Sequence, residues 1–285
     1  MQAVPSQIVK DAFIVSGEKH YAIARLCYSL LLGPQWQHGL LCFAYFKRLD
    51  NLVDEDPSAE RALALLASQR QLMARAYAGD RLRDTGLHDP LLNDLGHRIF
   101  GRDRVEGSRQ QSIFESVIET MEFDSRRRGT TISRAALEAY VLKLGKAVIS
   151  CLAGLVAPHV GLAAPLIEES SRAYLYADSL VDLEHDLRMG IINVPVEDIR
   201  QYGLTLDISD GRLRTWWQDR AGDTLGHFAR AVWHANRLED FRLKALTHFY
   251  LRRKRRQLLR FLAREGMRCI SPMKVRTWMD ATSVL

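Results

Sequence analysis

Apolar residues recur along this chain at three- and four-residue steps, and no stretch sustains the alternation that a half-buried strand requires. Tyr21, Ala24, Tyr28, Leu31 and Leu32 form one stripe. Leu63, Leu66, Leu72, Ala76 and Tyr77 form a second, and Leu137, Tyr140, Val141, Leu144, Val148 and Leu152 the clearest. Residues at such steps share one face of a helix, so each stripe predicts an amphipathic helix. Breaks are expected at Gly33-Pro34, Asp56-Pro57, Asp89-Pro90, Pro158, Pro165, Pro195 and Ser271-Pro272. With no internal repeat, low-complexity segment or linker, a single all-α domain over residues 1–285 is the economical expectation.

A length of 285 residues does not by itself choose between one large domain and two small ones. Apolar residues at 47% and charged residues at 26% are enough to bury a core, which argues against disorder. The net charge of +6 comes largely from arginine-rich patches, so an anionic ligand or surface has to be considered. Cys27, Cys42, Cys151 and Cys269 show no CxxC pair or metal-finger spacing, which fits a reduced, cytoplasmic chain. Lys10, Asp11, Glu18 and Lys19 interrupt any signal-peptide core. Ala147 to Ile167 carries no charge except His159 and is long enough to span a bilayer, which takes about 20 residues. Ser150, Gly154, Pro158, His159, Gly161 and Pro165 instead divide it into a buried helix, a turn and the start of another helix, so no transmembrane segment is expected.

Two groups of carboxylates stand out. Asp50 and Asp54 lie four apart after the run Phe43-Ala-Tyr-Phe46, so a helix projects both from one face. Like charges at that spacing cost an isolated helix roughly 0.2–0.5 kcal/mol, a penalty that a bridging cation would reverse. Alone, the pair reads equally well as a solvated acidic helix end before Pro57. Asp178, Asp182 and Asp186 form a longer ladder at i, i+4 and i+8, starting behind the apolar run Ala173-Tyr-Leu-Tyr-Ala177. Buried carboxylates need partners, and no lysine or arginine follows within a turn until Arg188. An oxygen-rich site of this kind suits magnesium, which keeps water and is usually shared with substrate phosphates. His185 reads as a surface residue.

Tyr45-Phe46-Lys47 through Glu55 resembles the first aspartate motif of squalene and phytoene synthases, and Asp178 through Pro195 resembles their second. Glu197-Asp198-Ile199 and Tyr202-Gly203-Leu204 resemble the trailing loop, and Met121 to Asp124 and Leu137 to Tyr140 the segment between. The resemblance touches most of the chain. It implies an isoprenoid synthase helical bundle around a central cavity, with Asp50, Asp54, Asp182 and Asp186 holding Mg2+ against the diphosphate of an allylic prenyl donor. Lys47 takes the place of a family arginine that contacts that phosphate. Ionising the donor leaves a carbocation, which aromatic faces can steady by about 0.5–2 kcal/mol each. Tyr21, Phe43, Phe46, Tyr140, Tyr174 and Tyr176 are candidates, although core packing suits most of them.

The chain departs from that family in places. Val181 stands where an arginine is usual, Asp178 where asparagine is usual, and Leu175 where glutamine is usual. Leu144-Gly145-Lys146 replaces a Val-Ala-Gly type stretch, Arg126-Arg-Arg-Gly-Thr-Thr a segment with tyrosine, and His20-Tyr21 a Ser-Phe pair. The ionising half looks intact and the coupling half altered. That suggests a small aromatic acceptor, as in squalene-synthase-like enzymes acting on carbazoles, with Lys146 narrowing the chamber or anchoring the acceptor. Equally, Lys146 would simply extend to solvent. The alternative acceptor is a second isoprenoid diphosphate, as in head-to-head coupling.

Arg252-Arg-Lys-Arg-Arg256 reads as a solvated face, part of which could reach a diphosphate, and Trp216-Trp217 as core or interface packing. A nucleic-acid or acidic-membrane binder would explain the arginines and predict affinity that falls with salt, but would leave the carboxylates idle. A silent assembly factor would have little reason to keep four motif aspartates. No GxGxxG follows a strand, so a reductive second step is not expected.

Overall fold

The computed structural model of the chain describes residues 29, 36–54, 56, 58–80, 82, 90–101, 103, 109–157 and 160–266. Tyr21 and its stripe, His20, Cys27, Cys269 and the breaks at Gly33-Pro34, Pro158 and Ser271-Pro272 lie outside the described residues. The fold is all-α, and among the described residues the β-type pairing is a single isolated parallel bridge between Ile132 and Pro195. The chain divides into two compact units, residues 1–128 with 147–160 and residues 129–146 with 161–285.

In the first unit, α1 (Trp36–Asp54) buries Leu41, Tyr45, Leu49 and Val53, each one turn after the last. Helix α2 (Ala59–Ala78) starts at Ser58, whose hydroxyl accepts the Arg61 amide at 3.3 Å. It closes at Gly79, whose φ of 100° is one that glycine adopts without strain. Helix α3 (Pro90–Leu95) begins on proline, where the missing N–H is not needed, and runs into a π-helical turn over Gly96–Phe100. A Cβ at Gly96 would lie 3.1 Å from that of Ala76, so the turn sits close on α2. Helix α4 (Arg109–Arg126) packs against α1 and α2. Its Phe114 ring is met by Tyr45, Phe46 and Phe100 at centroid distances of 5.6, 5.0 and 5.2 Å. Such aromatic pairs contribute about 0.5–1.5 kcal/mol each beyond the area they bury. Arg70 ties α2 to α4 through Glu115 at 3.1 Å and Glu122 at 2.8 Å. Cys42 and Cys151 are buried free thiols in mutual contact; burial first, and then the neighbouring Cys151, push the Cys42 thiol up.

Helix α5 (Arg134–Val156) contributes residues to both units. By length and composition it could cross a membrane, a test that core helices also pass, and 33% of its most apolar window is buried. In the second unit, α6 (Ala164–Val181) carries Pro165 in its first turn, where the helix tolerates it, so that residue opens an element instead of breaking one. Next come α7 (Leu183–Arg188), α8 (Val196–Tyr202), α9 (Gly211–Ala235) and α10 (Phe241–Arg264). Helix α6 packs on α9 and α10 around a core that includes Ala173, Ala177, Leu180, Phe228, Leu258 and Phe261. Trp216 and Trp217 of α9 are core residues, as their sequence suggests: Trp217 donates to the Leu180 carbonyl at 2.9 Å and packs on Phe261. Gly145 of α5 lies against α6, where a Cβ would fall 2.2 Å from the Ser171 hydroxyl and 2.8 Å from its Cα.

Candidate active site

Helix α1 presents Asp50 and Asp54 one turn apart at its C-terminal end, as their spacing predicts. Lys47 stands one turn before Asp50 and forms an ion pair with it, both side chains remaining partly exposed. That ammonium offsets the repulsion of two adjacent carboxylates. Phe46 packs on Phe114, so its ring serves the core of the first unit. Arg128, which the sequence left unplaced, donates Nη2 to the carbonyl of Val53, and its buried Nε and Nη1 have no hydrogen-bond partner among the described residues. A cation at a helix C-terminus is favourable because the last carbonyls are unsatisfied there.

In the second unit the aspartate ladder is not one continuous helix. Helix α6 ends at Val181, Asp182 takes φ −96° and ψ 3°, and α7 then begins. Hydrogen bonds donated by the Asp182 N–H to the Asp178 carbonyl, 2.9 Å, and by the Asp186 N–H to the Asp182 carbonyl, 2.8 Å, carry the helical step across the bend. The three carboxylates have different surroundings. Asp182 is exposed. Asp186 is buried and accepts the Asn193 amide at 3.1 Å. Asp178 is partly exposed and forms an ion pair with Lys254 of α10. The absence of a nearby basic residue in the sequence thus misses a partner 76 positions away.

Lys254 corrects the reading of Arg252 to Arg256 as one solvated face. The four arginines are exposed, whereas Lys254 is 5% exposed, in step with buried Leu251 and Leu258. Its ammonium also donates to Gln257 Oε1 at 3.1 Å and lies 4.9 Å from the centre of the Tyr174 ring. The register of apolar residues around it was the available signal.

Tyr140 is half-buried against the small cluster of Ile132, Leu137 and Val141, beside Leu175 and Tyr176. Lys146 is exposed on α5, as expected of a lysine extended to solvent. His185 is exposed too. Among the described residues, no three His, Cys, Asp or Glu side chains are grouped so as to hold a metal by themselves.

A groove of about 620 Å³ also opens in the second unit, lined by residues that include Arg134, Glu138, Arg172, Tyr176, Asp198 and Arg220. Of the residues singled out in the sequence, Tyr176 lines it, whereas Asp50, Asp54, Asp178, Asp182 and Asp186 do not. Its charges pair with one another: Arg172 with Glu138 at 2.6 Å, and Arg134 and Arg220 with Asp198. Burial first, and then the bond to Glu138, push the Tyr176 phenol above its ordinary range. Charges neutralised internally make this a structural network, and the candidate chemistry stays with the aspartates.

An all-α fold with a carboxylate pair closing one helix and a second ladder of carboxylates is what the resemblance to isoprenoid synthases implies. The family model for squalene/phytoene synthase matches residues 20–271, and the chain belongs to that family. Two solved structures share the fold. The squalene synthase HpnC from Alicyclobacillus acidocaldarius is 21% identical with a TM-score of 0.65, over 92% of this chain and 97% of that one. A dehydrosqualene synthase solved with a ligand is 17% identical with a TM-score of 0.69, over 99% of each chain. No curated protein sequence matches this one.

Proposed function

We propose that this chain ionises an allylic isoprenoid diphosphate and transfers the prenyl group to an acceptor, with Asp50, Asp54, Asp182 and Asp186 as the diphosphate-facing carboxylates. One observation carries the reading: on the second ladder an exposed Asp182 precedes an Asp186 that is buried and oriented by Asn193. A buried carboxylate held by an amide is preorganised for a cation, and one exposed a turn earlier is accessible to it. Magnesium commonly takes only one or two carboxylates and completes its shell with water and substrate phosphate, which suits aspartates that stand in pairs. When bound, it would neutralise the charge that develops on the leaving diphosphate.

The chain's own residues have separate tasks in this reading. Asp182 and Asp186 present negative oxygens at a fixed spacing. Asn193 holds Asp186 in its rotamer. Lys47 stands beside Asp50 and supplies a charge able to reach a phosphate oxygen. Tyr140 offers a half-buried aromatic face to the prenyl group.

For the acceptor, a second isoprenoid diphosphate is favoured by the family and by the names of two solved structures that share its fold. The aromatic-acceptor reading depended on Lys146 entering a chamber, and its exposure lends that no support. Donors of several lengths, offered with isoprenoid or aromatic acceptors with and without Mg2+, test both readings through pyrophosphate release and product mass. Asp182→Asn is expected to lower Mg2+-dependent release by about two or more orders of magnitude with circular dichroism unchanged. Near-normal turnover would remove Asp182 from the site.

A further inference from the structure

The geometry points to Lys254 as a built-in cation of the second aspartate site: its ammonium is paired with Asp178 and so withdraws that carboxylate of the ladder from a divalent ion. The inference rests on the diphosphate-and-metal reading above and goes beyond it by setting how many carboxylates the metal can use.

Three observations support it. First, Lys254 is 5% exposed although it lies within a run of exposed arginines, so the fold brings one charge of five inward. Burying an ammonium is costly unless it is paired, and the partner in place is Asp178, with Gln257 and the Tyr174 face completing its surroundings. Second, an ammonium has three donors and no acceptor, so it satisfies a carboxylate much as a metal ion would, but it cannot dissociate from the chain. Third, a divalent ion placed on Asp178 would sit within a few ångströms of that fixed charge. Positive charges so close, partly shielded from water, repel strongly. Asp178 is therefore a positioning residue for Lys254, and the two are expected to act as a unit.

Binding of Mn2+ alone, and of Mn2+ with inorganic pyrophosphate, tests this when followed by the paramagnetic resonance of the free ion on the full chain. Lys254→Met frees Asp178 and is expected to add one ion per chain or to tighten binding about tenfold or more. Asp178→Asn is expected to leave the wild-type ion count in place. Because Lys254→Met exposes an uncompensated carboxylate and could disturb folding, the double variant Asp178→Asn/Lys254→Met, which removes both charges, should also keep the wild-type count. The inference is overturned if Lys254→Met binds Mn2+ as the wild type does, or if Asp178→Asn or the double variant loses an ion. Asp182→Asn separates the two levels of the argument. If it loses an ion while Lys254→Met matches the wild type, only the role of Lys254 falls; if it loses none, the metal reading falls as well.

Discussion

Asp198 is 1% exposed, accepts the Trp216 indole N–H at 2.7 Å, pairs with Arg134, and has Arg220 at 3.9 Å. One carboxylate thus joins the starts of α5 and α8 to α9. Removing one member of a buried ion pair costs about 3–5 kcal/mol, but Arg134 can turn to water, so Asp198→Ala is expected to lose about 2–3 kcal/mol. Asn should recover part of this, because its carbonyl still accepts the indole. Urea denaturation checks both values, and an alanine variant as stable as the wild type would contradict the assignment. Glu169 supplies a pH signature. Burial alone would raise its pKa, but hydrogen bonds and charge from His227 and Arg230 outweigh it and hold the group at about 2 instead of 4.5. Between those values the unfolded chain binds more protons than the folded one. The contribution of Glu169 is therefore complete above pH 4.5 and is lost as pH falls through about 2. Glu169→Gln should flatten that acid limb in a plot of urea midpoint against pH. Residues of this kind were the least legible in the sequence. Asp178 and Lys254, Arg128 and the Val53 carbonyl, and Asp198 and Trp216 are joined only by the way helices pack, whereas the aspartates themselves were visible because their spacing is local.

Helices were far easier to read, since periodicity is written into neighbouring residues. The stripes at Leu63–Tyr77 and Leu137–Leu152 became α2 and α5, and the apolar run after Ala147 ends with α5 at Val156 before α6 opens at Ala164. The bend at Asp182 was missed because the i→i−4 bonds persist through it and the side-chain pattern does not change. Glu184 and Asp186 in the first turn of α7 suit a helix start there. Gly145 shows how tightly one crossing is specified. In a helix interior, alanine is worth about 1 kcal/mol more than glycine. Here the added methyl group would overlap both the side chain and the backbone of Ser171, and such overpacking costs about 1–3 kcal/mol. The clash should win because backbone cannot swing aside. Gly145→Ala is expected to lower the thermal midpoint; a rise would show that α5 and α6 separate freely.

At the scale of the whole chain, the sequence already indicated the all-α class and the family, because helical periodicity and the spacing of the two aspartate groups are both local patterns. It did not indicate the division into two compact units, which depends on which helices meet, and composition reports nothing of that. The touching thiols of Cys42 and Cys151, 1% and 0% exposed, have a practical consequence. An alkylating reagent reaches neither until their surroundings come apart, so the mass gained by those two peptides over time records how often the first unit breathes. If Mg2+ and a diphosphate bind at Asp50 and Asp54 of the same unit, as proposed, that clock should slow, turning two silent sulfur atoms into a gauge of occupancy that needs no product to be formed.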